Sequence, residues 1–128
     1  METKDGKQAV YAETRAEWRA WLDENSQTER SVWLILYHKK SSMPCVGYDD
    51  AVEEALCFGW IDSLTKKRDA ESYYRTFTPR KPQSRWSESN RVRVERLIAN
   101  GSMTQHGQRV IDMAKGTGKW GLQDSIVH

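Results

Sequence analysis

Cysteine, proline and histidine are all scarce in this chain, at two, three and three among 128 residues. Cys45 and Cys57 form no CxxC or Cys/His pattern, so neither a zinc site nor a disulfide scaffold is supported and reduced thiols are expected. His38, His106 and His128 lie far apart without the spacing of a metal centre, and no metal or cofactor is expected. Long apolar runs are missing too. No stretch approaches the ~20 apolar residues of a membrane helix, and the opening METKDGKQ has no apolar signal core, so a soluble, cytoplasmic protein without a membrane span is expected. Internal repeats and low-complexity linkers are absent.

Aromatic residues, by contrast, are plentiful: six Trp, five Tyr and two Phe. Large rings raise the area buried per residue, and 38% hydrophobic content over this length fits one globular core. The net charge of +2 hides a strong asymmetry. Residues 1–63 hold seven Lys/Arg against twelve Asp/Glu, whereas residues 64–96 hold ten against four. That basic third suits a phosphate, an anionic surface or nucleic acid, and equally a simply solvated face.

Periodicity orders the elements. Thr14-Arg15-Ala16-Glu17 matches a capping box, and Trp18, Trp21 and Leu22 follow at helical spacing with their faces inward, so a helix is expected over 14–25. Ser31 to Tyr37 reads as a buried central strand. After Gly47, a second helix buries Ala51, Val52, Ala55 and Leu56, turns Glu53 and Glu54 outward, and stops at Gly59. Trp60–Lys66 and Ser72–Thr78 make an antiparallel hairpin, with Tyr73, Arg75 and Phe77 on one face of its second strand. Ser87 and Thr104 cap a third and a fourth helix. The expected architecture is therefore a single α+β domain over residues 11–120, with about four helices on an antiparallel sheet of about three strands. Residues 1–10 are expected to be flexible and 121–128 frayed.

Functional chemistry concentrates in FTPRKPQSRWSESN, residues 77–90, where Arg80, Lys81 and Arg85 sit among two prolines, three serines and Trp86. Pro79 and Pro82 fix φ and donate no backbone hydrogen bond, which makes a stiff, extended strap. Two roles suit it. The strap either displays cations beside an aromatic face for an anionic ligand, or it is structural, with Trp86 plugging the core and Arg80 paired to a carboxylate. Asp62 lies between bulky apolar neighbours and needs a partner, which Arg80, Arg75 or backbone donors would supply. The candidate ligand-binding set is Trp60, Asp62, Arg75, Arg80, Lys81, Ser84 and Trp86. Ser84 and Ser87 flank Trp86 with no histidine base in view, so helix capping or strap hydrogen bonding suits them better than nucleophilic catalysis. Lys115-Gly116-Thr117-Gly118-Lys119 is no phosphate loop: Met113 stands where the first glycine belongs, and Trp120 replaces the Ser/Thr.

Four segments in order, EWRAWL (17–22), AVEEALCFGWIDS (51–63), FTPRKPQSRWSESN (77–90) and ERLIANGSMTQHG (95–107), resemble the YdeI/OmpD-associated family, also described as bacteriocin-protection proteins. The resemblance spans roughly residues 11 to 120. It implies a bacterial α+β domain with a part in protection against bacteriocins or antimicrobial peptides, and no defined catalytic reaction. The expected function is accordingly non-catalytic binding of an anionic small molecule or protein partner. The rivals are an enzyme built on an Asp62/Arg80 pocket and a single-stranded nucleic-acid module, a nucleic-acid partner being the lesser expectation.

Overall fold

A computed structural model describes residues 1–121. The chain runs β1 (Glu2–Lys4), β2 (Lys7–Tyr11), α1 (Arg15–Asn25), β3 (Val32–Tyr37), α2 (Tyr48–Cys57), β4 (Trp60–Lys67), β5 (Ser72–Pro79), α3 (Glu88–Ala99) and α4 (Gln105–Gly116). The α+β class and the four helices agree with the sequence reading. The sheet does not: it has five strands in the order β1-β2-β3-β5-β4, and β2 pairs with β3 in parallel. The additional strands come from residues read as a flexible N-terminus. Asp5 and Gly6, both at positive φ, turn β1 back onto β2 with Lys4 opposite Lys7, the two-residue hairpin geometry that an Asp-Gly pair favours. Of the segment 121–128 expected to fray, all but Gly121 lies outside the described residues.

Strand β3 is apolar throughout because both of its faces are covered. Val32, Leu34 and Leu36 join the main core with Trp18, Leu22, Phe77 and Trp60. Trp33 and Ile35 point the other way, into a smaller cluster with Ala9 and Tyr74, whose edge β1 and β2 supply. Three buried indoles donate their N–H to backbone carbonyls: Trp18 to Ala51 O, Trp60 to Ser26 O and Trp33 to Lys4 O. The rings on β5 divide between faces as alternation requires.

Helix α2 departs from expectation at Glu54. This residue is 4% exposed, not turned outward, and it accepts from Arg15 Nε and from Arg19 Nη1. Because α1 packs over α2, an outward position on an isolated helix becomes an interhelical one, and two guanidiniums offset the cost of burying the carboxylate.

At the far end of α2 the backbone turns through Gly59 (φ +79°) into β4. A Cβ there would lie 2.7 Å from Val110 Cγ2, and one on Gly107 would lie 2.5 Å from Cys57 O. Thr104 completes the seam by donating its backbone N–H and its hydroxyl to that same carbonyl. Helix α4 thus sits directly on the end of α2.

Gly107→Ala should therefore cost about 1–3 kcal/mol, the usual range for overpacking, read as a lower urea midpoint with unchanged slope. A second expectation concerns β1, where hydrogen bonds from Arg68 and Tyr74 hold the Glu2 carboxyl down at about 2 from an ordinary 4.5. Its contribution is then present above pH 4.5 and lost as pH falls towards about 2. Glu2→Gln should destabilise by about 1 kcal/mol at pH 7, with the difference from wild type closing over that acidic window in pH-resolved melts.

Candidate functional site

The seam between α2 and α4 forms the floor of a cleft of about 340 Å³. Its apolar wall comprises Phe58, Trp60, Pro79 and Val110, while Arg30, Arg80, Arg109 and His106 bring guanidinium and imidazole groups to it. Glu29 is the one carboxylate in the lining among the described residues. Five separate stretches meet here: the turn after α1, the end of α2, the start of β4, the end of β5 and the first turns of α4. Backbone bonding holds the strap against this junction, since Arg80 N–H donates to Gly59 O at 2.9 Å.

Arg80 is the most unusual group in the cleft. Its guanidinium lies 3.9 Å from the Trp86 ring centroid, and Trp86 is itself 6% exposed. Trp86 packs in turn on Trp120 at 4.9 Å, over which Lys115 is placed at 5.0 Å. The cation is thereby fixed face-on against a buried ring, an arrangement that stabilises a desolvated guanidinium. Arg80 Nη2 donates to Arg85 O at 2.9 Å, but its Nε is buried with no partner. Burial lowers the Arg80 pKa to about 10. No carboxylate forms an ion pair with Arg30, Arg80 or Arg109 among the described residues. His106 Nδ1 is a second buried atom without a partner, on the same cleft lining.

The seven residues picked from sequence divide into three groups. Trp60 and Arg80 line the cleft, and Trp86 backs Arg80 from behind. Asp62 and Arg75 belong to a separate cluster: Arg75 donates through Nε and Nη2, at 2.8 and 2.6 Å, to Asp62 Oδ2, which also accepts from the Tyr48 hydroxyl at 2.6 Å. Lys81 is exposed, Ser84 is partly buried and donates its backbone N–H to Lys81 O, and neither lines the cleft. An Asp62/Arg80 pocket is therefore not formed. Asp62 stands opposite Phe77 in the hairpin, and Arg80 lies three residues further along β5, about 10 Å at the rise of a strand. Arg75 also lies over the Tyr48 ring, 5.6 Å from its centroid.

Sequence reasoning missed Arg30, Arg109 and His106. His106 and Arg109 lie one turn apart on α4, but no spacing links them to Arg30 or Arg80, and only the docking of α4 gathers the four. A more open hollow, about 740 Å³, lies at the hairpin end among His38, Lys67, Asp69 and Tyr73. Its Asp69 already accepts from Ser72 Oγ and Glu71 N–H, and its cation, Lys67, is exposed to solvent. Both thiols are free, and burial raises Cys57 to about 11, so it is a packing residue and not a nucleophile. Among the described residues no group of His, Cys, Asp and Glu could hold a metal, and no helix is long and apolar enough to cross a membrane.

Residues 10–110 match the family described as a domain of unknown function, DUF8412. The chain belongs to that family. No curated protein and no solved structure matches it. The matched span runs from the end of β2 through the first half of α4, and so contains every cleft residue named above.

Asp62 and Arg80 should separate cleanly on mutation. Asp62→Ala strands Arg75 and Tyr48 and should cost about 2–3 kcal/mol. Arg80→Met removes a desolvated charge and should leave the melting temperature unchanged or higher. An equal loss in both, measured as urea midpoints, would make the strap a purely structural element.

Proposed function

We propose that this domain is a non-catalytic, protection-type module of bacteria that acts by binding a small anionic molecule in the Arg80 cleft. The observation that carries the reading is a cation held in a partly desolvated position without a counter-ion. Folding ordinarily pairs such a group or leaves it in water. An anion entering the cleft would supply the missing partner, with charge-assisted hydrogen bonds that are stronger than neutral ones. The likeness of four sequence segments to the YdeI/OmpD-associated family supports a stress or bacteriocin (antimicrobial peptide) protection role, with the cytoplasm as the site of action. The anion belongs either to a small molecule or to a protein partner presenting an acidic group.

The rival readings have less behind them. An enzyme using Asp62 and Arg80 together would need a shared cavity, and Asp62 does not line this one. Single-stranded nucleic acid would need exposed rings among free cations. Tyr74, Phe77 and Trp86 are instead buried, while Arg75, Arg93 and Arg96 are engaged with Asp62, Asp49 and Glu53.

A thermal-shift panel of small anions at low ionic strength tests the binding, since a ligand of the folded state raises the melting temperature by mass action. Arg80→Gln should weaken the best anion by roughly 1–3 kcal/mol while the unliganded protein melts as before. Expressing the chain in a bacteriocin-sensitive bacterium should raise survival, and the same substitution should abolish the gain. Silence across the panel together with unchanged survival would remove the reading.

A further inference from the structure

The Arg80 cleft has two chemically distinct sides, and this restricts what it can hold. Among the described residues Arg30, Arg80 and Arg109 face a single carboxylate, Glu29, which leaves an excess of two positive charges around a cavity of only about 340 Å³. A monoanion leaves one of those charges uncompensated, whereas a group carrying two charges on one centre balances the cleft. Guanidinium forks fit tetrahedral oxyanions and carboxylates alike. A cavity at the small end of the range for ligand sites favours the compact dianionic head, which concentrates its charge at one place. Phosphate monoesters carry between −1.5 and −2 at neutral pH. Arg80 has four of its five N–H groups without a protein acceptor among the described residues, its one bond being to Arg85 O.

The opposite side is apolar. Trp60 is held in place by its N–H bond to Ser26 O, Val110 is pressed against Gly59, and Phe58 and Pro79 complete the wall. Trp60 and Phe58 are buried at the back of this wall, so Pro79 and Val110 are the part that an inorganic ion would leave against water; an apolar body on the ligand would cover them and gain the transfer free energy of its own surface. Building on the anion-binding reading, we infer that the cleft takes a small phosphomonoester with a compact apolar body: the phosphoryl oxygens on Arg80, Arg109 and Arg30, and the body against Pro79 and Val110, with Trp60 and Phe58 packed behind them.

Four probes separate the parts of this inference in calorimetric titrations of the full chain: inorganic phosphate, phenyl phosphate, benzoate and phenol. Phenyl phosphate should bind at least tenfold more tightly than inorganic phosphate or benzoate, and phenol should give no heat. Arg80→Met and Arg109→Gln should each weaken phenyl phosphate about tenfold, with both variants melting as wild type does. Phosphate and phenyl phosphate of equal affinity would overturn the apolar-body inference and leave the anion-binding reading standing. Benzoate matching phenyl phosphate would overturn the dianion. Phenyl phosphate binding that neither substitution weakens would place the ligand outside this cleft and sink the inference. If none of the four binds, the anion-binding reading itself falls. Trp86, stacked on Arg80, gives a second readout: tryptophan fluorescence should change on titration with phenyl phosphate in wild type, and in Arg80→Met the midpoint of that change should move to about tenfold higher ligand.

Discussion

The first turns of α4 rest on the last residues of α2 with almost no side chain between them. At Gly107 the backbone comes closer to Cys57 than a Cβ permits, at Gly59 the Val110 side chain fills the place of one, and the Cys57 carbonyl, one of the orphan acceptors at a helix end, is taken by the N-cap residue of α4. This contact does more than close the core. It sets His106, Arg109 and Val110 across from the strap, and it fixes Gly59 O, onto which the Arg80 backbone docks. Without the two glycines the helix would stand off, and the cleft would lose its floor.

Charge is distributed according to the same packing. The acidic half and the basic third, so unequal along the chain, cancel largely by contact: Arg93 and Arg96 on α3 reach Asp49 and Glu53 on α2, Arg75 reaches Asp62, and Arg68 reaches Glu2. What resembled a basic binding surface in sequence is mostly the cationic half of an interhelical and interstrand lattice. The residue of that cancellation matters more than its total. Arg80 shares its segment with these paired cations, yet it is carried past the end of β5, away from the acidic helix, to a place where no carboxylate reaches it.

Most of the fold was legible because its signals are local. Thr14, Ser87 and Thr104 each accept a hydrogen bond from the backbone three residues on, as N-caps do, and the run from Val32 to Tyr37 is apolar because it is central. The N-terminal hairpin was missed although Asp5-Gly6 is a strong turn signal. Its strands are short and polar, and most of their stabilisation comes from pairing with β3 and covering Trp33, which are long-range events. Glu54 was misjudged for a related reason: helical periodicity gives the face of one helix and is silent about a second helix laid over it. At the candidate site the strap, Trp60 and Arg80 were legible from composition. The partition of Asp62 from Arg80 was not, since it depends on strand register, and Arg30 and His106 carry no signal until the chain is folded.

Arg80 joins these threads through its energetics. A guanidinium taken from water without a carboxylate partner costs folding free energy, and stacking on Trp86 returns only part of it, roughly 1–2 kcal/mol for a desolvated cation over an indole. A strap needed solely for stability would be better served by an apolar side chain over Trp86, because a well-packed hydrophobic group avoids the desolvation penalty altogether. Retaining a charge there is consistent with the usual trade of stability for function, in which a site is kept poised for a partner that arrives later. The Trp86 and Trp120 rings then serve as a rigid backing: they hold the guanidinium plane before any ligand enters, so binding spends little on ordering the side chain. Stiffness in the strap, from Pro79 and Pro82, has the same effect on the backbone. The features that make this segment costly to fold are the ones that make its cation ready to bind.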